Sequence, residues 1–172
     1  LLQSAGYPTD YLELTYTCPD CKDTGFINKE KCHCFKQALT FALSETSTLP
    51  HLLKQENFDH FSFSYYDNMT TDSRLQLTPR ENMEKIVADA KQFVDEFDYA
   101  GRSILIYGNT GVGKTFLSNC IAKALLDTAH HVVYMTSHSL FEVFEAHRFD
   151  HTAEDSGDAS LYQYIFHCDL LI

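Results

Sequence analysis

Positive charge, long apolar runs and repetitive sequence are all scarce in this chain. Thirteen Lys and Arg stand against 24 Asp and Glu over 172 residues, a formal charge of −11. That balance excludes a broad electropositive surface for duplex DNA and leaves room only for a local basic patch. No run approaches the about 20 apolar residues that a membrane helix needs. The N-terminus has neither a basic segment nor the apolar stretch of a secretion signal, so the sequence reads as cytoplasmic, without a membrane partner. Tryptophan is absent, proline occurs only four times, and no internal repeat or low-complexity tract is visible. Glycine is scarce too: seven in all, of which Gly108, Gly111 and Gly113 fall within six residues. With 44% hydrophobic residues, the chain can bury a core as one domain with an appendage.

Those three glycines belong to Gly108-Asn109-Thr110-Gly111-Val112-Gly113-Lys114-Thr115, the form G-x-x-x-x-G-K-[ST] of a phosphate-binding loop. Ahead of it, Ser103-Ile104-Leu105-Ile106-Tyr107 predicts a short buried strand. Behind it, Leu117, Cys120, Ile121, Ala124 and Leu125 recur at helical spacing. A strand leading through such a loop into a helix aims backbone N–H groups and a helix dipole at phosphate oxygens. Residues Gly108 to Phe116, with Asn109, Thr110 and Val112 among them, form the candidate site for ATP or ADP. Lys114 and Thr115 are its candidate catalytic pair, Lys114 reaching the β and γ phosphates and Thr115 ligating Mg²⁺.

Six cysteines in a chain of this class point to metal binding or burial rather than disulfides. Cys120, on the apolar face of the helix, and Cys168, opening an apolar run, read as core. Cys18-Pro19-Asp20-Cys21 and Cys32-His33-Cys34 give C-x-x-C and C-x-C pairs ten residues apart. Cys18, Cys21, Cys32 and Cys34 therefore suit a tetrahedral zinc knuckle, and His33 could stand in for Cys32 or Cys34. An iron–sulfur cluster on the same ligands and four free thiols are the rival readings. Lys22, Lys29, Lys31 and Lys36 favour ionised thiolates, and with Tyr16, Phe26 and Phe35 they suggest a local contact with single-stranded DNA. His51, His60, His130, His131, His138, His147, His151 and His167 make no second metal set and read mostly as solvated. Glu142, Glu145, His147 and Arg148 read as the wet face of a helix.

Three regions follow. Residues 1–45 hold the zinc knuckle, with a turn and strand at Thr24–Ile27 and helical spacing from Phe35. Residues 46–79 form a linker whose Phe58, Phe61, Phe63, Tyr65 and Tyr66 suggest an extended segment packed on something. Residues 80–172 form a P-loop core. It begins with a helix near 80–98, apolar at Met83, Ile86, Val87, Ala90, Phe93, Val94 and Phe97 and ended by Gly101. A strand at 131–135, a helix near 138–148, a polar stretch at 150–160 and a buried strand at 168–172 follow, Asp169 standing at the start of the last. Strands alternating with helices predict an α/β fold with a three-layer parallel sheet, the phosphate loop at the strands' C-terminal edge.

A Cys₄ knuckle, an aromatic linker, an amphipathic helix and the run Tyr107-Gly108-Asn109-Thr110-Gly111-Val112-Gly113-Lys114-Thr115-Phe116-Leu117-Ser118-Asn119-Cys120-Ile121-Ala122, in that order, resemble the DnaC-type AAA+ ATPases. These are the replicative helicase loaders and the related IstB-type transposition helpers. The resemblance implies an ATP-dependent remodeller that binds single-stranded DNA and a replicative ring helicase, placing one on the other, with further copies joined through the AAA+ core. Family members continue with Walker B acids, an arginine finger and sensors, so the expectation here is the N-terminal portion of a loader, binding nucleotide but hydrolysing ATP negligibly. The family's strand before the loop pairs with two later strands, which would leave Ser103–Tyr107 without neighbours. Three alternatives stand beside this reading: an IstB-like helper, a P-loop small-molecule kinase, and a non-catalytic zinc interaction module. The kinase would need a lid with catalytic arginines, where the sequence offers only Arg148.

Overall fold

Residues 6, 8, 11–43, 49–149 and 157–172 are described in the computed structural model. The polar stretch 150–156, His151 with it, and the first linker residues, 46–48, lie outside the described residues. The N-terminal region is built on an antiparallel hairpin, β1 (Phe26–Ile27) and β2 (Glu30–Lys31), registered Phe26 to Lys31 and Ile27 to Glu30. Asn28 and Lys29 between them both take left-handed φ values, +50° and +74°, as a two-residue hairpin turn requires. Helix α1 (His33–Leu43) follows directly, then α2 (Leu49–Gln55) and a 3₁₀ turn at Phe63–Tyr65.

The next helix, α3 (Pro79–Asp95), starts where side chains satisfy its free N–H groups. The Thr78 hydroxyl accepts from the Glu81 N–H (3.2 Å), the Glu81 carboxylate accepts from the Thr78 N–H (2.8 Å), and Pro79 occupies the first turn. A short α4 (Phe97–Ala100) ends at Gly101, whose left-handed φ of +53° turns the chain. Then come α5 (Lys114–Asp127), β3 (Val132–Val133), α6 (Ser137–Phe149), α7 (Gly157–His167) and β4 (Leu170–Leu171). Strands β3 and β4 pair in parallel, Val132 beside Leu170 and Val133 beside Leu171. The Ile172 N–H to Val133 carbonyl bond (2.9 Å) and the Met135 N–H to Ile172 carbonyl bond (3.0 Å) continue the ladder.

The main core is a seam between helices. Leu49 and Leu53 of α2, Val87, Ala90 and Phe93 of α3, and Leu117, Ile121, Ala122, Leu125 and Leu126 of α5 close over Val132 of β3. Each fully buried aliphatic side chain is worth about 1.5–3 kcal/mol, so this seam fixes α5, and with it the loop at its head. Asn119, also buried, ties α5 to the end of α2 by donating to the Glu56 carboxylate at 2.5 Å. Helices α6 and α7 pack through Phe144, Tyr162 and Phe166, with His147 stacked on Tyr162 at 3.6 Å. The N-terminal region docks on this body: Gln37 donates to the Leu126 carbonyl (2.7 Å), and the Lys31 ammonium lies 4.7 Å from the centre of the Tyr164 ring.

Five expectations need correction. Ser103–Tyr107 forms no strand: Leu105 is 84% and Tyr107 85% exposed, and only Ile106 turns partly onto the core. A strand exists only by pairing with another, and no described segment pairs with this one. The fold is accordingly mixed α and β, mostly helical with two two-stranded sheets, and no three-layer sheet occurs among the described residues. The linker is not simply extended, since α2 supplies Leu49 and Leu53 to the core and the aromatic stretch turns at Phe63–Tyr65. The polar tail of the 150–160 stretch belongs to α7 from Gly157 onward. β4 is half-exposed at Leu171 rather than buried. His131 is among the histidines that are not solvated, its backbone N–H held by the Asp169 carboxylate (2.7 Å). Asp169 does stand at the start of β4, and Cys120 is fully buried in the core. No described helix is long and apolar enough to cross a membrane.

Candidate functional site: a phosphate loop and a cysteine cluster

Residues 108–113 wrap from the exposed segment 101–107 into the first turn of α5. Gly111 and Gly113 take φ values of +82° and +93°, a conformation that side chains strongly disfavour, so the chain can curl tightly only with glycine there. Unlike α3, α5 has no side-chain cap and no acid in its first turn. Its leading N–H groups are therefore left for an outside acceptor. Lys114 folds back over the loop and donates to the Asn109 carbonyl (2.7 Å) and the Gly108 carbonyl (3.1 Å). The arrangement brings a cation, uncapped N–H donors and a helix dipole to one exposed loop, a setting that favours anions. Thr115, the candidate Mg²⁺ ligand, is exposed in the first helical turn, and Phe116 behind it is half-buried.

The linker aromatics meet this loop, a contact the spacing of the sequence does not reveal. Tyr66 donates its hydroxyl to the Val112 carbonyl (3.1 Å). Phe61 stacks on Tyr66 (6.3 Å, 6° between planes) and meets Phe116 edge-on (5.5 Å, 80°). Burial raises the Tyr66 phenol above its ordinary range, keeping it a neutral donor.

The second site gathers all four expected cysteines, with ligand atoms within 4.8 Å of one another. Cys18 and Cys32 sulfurs are 3.7 Å apart, Cys21 and Cys34 sulfurs 3.4 Å. A tetrahedral zinc with bonds of about 2.3 Å places its sulfurs about 3.8 Å apart, so the four fit a metal ion such as zinc. Turn geometry sets the first pair: the Asp23 carboxylate accepts from the Thr17 and Cys18 N–H groups (3.0 and 2.8 Å), and the Gly25 N–H donates to the Cys21 sulfur (3.3 Å). The second pair is carried by β2 into α1. His33 does not displace Cys32 or Cys34: its Nε2 lies 3.0 Å from the Asp20 carboxylate and 3.4 Å from the Cys18 sulfur, at the cluster's edge. Burial raises the Cys21 thiol, but hydrogen bonds from the Cys34 thiol and the Gly25 N–H outweigh it and lower it to about 7. Cys34 is pushed up to about 12, first by the bond it shares with Cys21 and then by burial. A divalent cation would replace those retained protons.

Glu142, Glu145, His147 and Arg148 lie on the exposed side of α6. Compared with protein-family models, curated proteins and solved structures, the chain finds no match in any of the three.

Proposed function

We propose that this chain is an ATP-binding protein of the helicase-loader type, its phosphate loop holding magnesium nucleotide and its four cysteines a structural zinc. The observation that carries the reading is the loop itself: the G-x-x-x-x-G-K-[ST] motif curls into an uncapped helix with Lys114 over its centre. Lys114 would bind the β and γ phosphates, the N–H groups of 108–116 would line the cradle, and Thr115 would offer its hydroxyl to Mg²⁺. Magnesium, when bound, supplies charge that offsets the phosphates. In the same reading β3 and β4 would be two strands of a larger parallel sheet.

Loader function adds a ring helicase, single-stranded DNA and further copies of the chain as partners. The acidic charge confines DNA contact to local groups such as the knuckle lysines. Binding of labelled single strands should therefore be tighter with MgATP than with MgADP and depend only shallowly on salt. Equal affinity in both nucleotide states, together with phosphorylation of a small molecule, would favour the kinase reading instead.

A further inference from the structure

The linker residue Tyr66 lies 46 positions ahead of Val112 yet donates to its carbonyl. Its place is fixed on both sides. Ser62 caps the 3₁₀ turn by accepting from the Ser64 N–H (3.3 Å), and the Tyr66 N–H closes that turn on the Phe63 carbonyl (3.1 Å). Just beyond, the Asp67 carbonyl accepts from the Arg80 N–H (3.0 Å) at the head of α3. Phe61 then holds the tyrosine ring by stacking on it while touching Phe116 of α5. The hydroxyl stands so close to the loop that a β-carbon at Gly113 would lie 2.7 Å from it.

The consequence follows from peptide geometry. The Val112 carbonyl and the Gly113 N–H belong to one trans peptide plane and point to opposite sides. Holding the carbonyl toward Tyr66 turns the N–H away from it, and that N–H has no acceptor among the described residues. We infer that Tyr66 is a positioning residue for phosphate binding: its hydroxyl locks the 112–113 peptide so that the Gly113 N–H faces the incoming phosphates. Phe61 braces the lock against the first turn of α5. The linker thereby becomes part of the nucleotide site, joining α2 and α3 to the loop.

This inference rests on the reading of residues 108–116 as a nucleotide site, and one experiment separates the two. MgADP and MgATP are titrated calorimetrically into the full chain and its Tyr66→Phe variant, which keeps the ring and its stack on Phe61. The Gly113 amide is followed by nuclear magnetic resonance in the same samples. The variant should bind both nucleotides about fivefold more weakly, the effect of one neutral hydrogen bond, because the loop amides meet phosphates that ATP and ADP share. The Gly113 amide should also shift less on adding MgADP than it does in the wild type. Equal affinity in wild type and variant would overturn the role of Tyr66 alone. So would weaker binding with an unchanged Gly113 response, since that marks general loosening. Failure of the wild type to bind either nucleotide would bring down the phosphate-loop reading itself.

Discussion

At the residue scale, Gly113 is constrained twice. Its φ of +93° disfavours any side chain, and the Tyr66 hydroxyl fills the space that a β-carbon would need. Gly113→Ala should therefore destabilise the chain by about 1–3 kcal/mol, read as a lower urea midpoint; an unchanged midpoint would mean that the loop relaxes freely. The candidate site was legible in sequence wherever its chemistry is contiguous. A phosphate cradle needs its glycines, lysine and threonine at fixed spacing along one segment, and the cysteine pairs likewise announce themselves. Tyr66 and the Glu56–Asn119 bond were not legible, because they join residues far apart in the chain and carry no spacing rule. The burial of His131 was not legible for the same reason: its neighbours Asp169 and Tyr164 are both more than thirty positions away.

Among the elements, the helices α3, α5 and α6 could be read from their apolar period, and α3 owes its start to the Thr78–Glu81 capping box. Helix α2 escaped because it is short and opens Leu49-Pro50, and α7 because its first residues are small and polar. The N-terminal hairpin has a more particular dependence. Among the described residues, the buried ones in its cluster are Cys18, Cys21 and Cys32, with Cys34 against them, so the cysteines stand where an apolar core would. A region of this size without a core needs a staple. Elemental analysis should find one zinc per chain, and Cys18→Ser or Cys21→Ser should release it and expose the first forty or so residues to protease. Protons compete for the same sulfurs, so zinc retention should weaken as the pH is lowered. Iron with a visible absorption band, or no metal at all, would contradict the zinc assignment.

For the whole molecule, the seam of α2, α3 and α5 holds the fold, while Ser103–Tyr107 borders a cavity of about 780 Å³ with walls from α3 and α5. That segment reads as a strand in sequence because its residues favour one. It is not a strand in the structure because pairing is a property of two segments, and one alone cannot supply it. Leu105, 84% exposed, should thus be nearly silent in the isolated chain, with Leu105→Ser changing stability by about 0.5 kcal/mol or less. A loss of several-fold more in thermal melting would show the segment packed in solution. The most direct measurement is calorimetric titration of MgATP and MgADP into the chain and its Lys114→Ala variant. Saturable binding of one nucleotide per chain is expected, weakened at least about tenfold in the variant through loss of a charge-assisted phosphate contact. Absence of binding to the wild type, or binding that Lys114→Ala leaves intact, would contradict it.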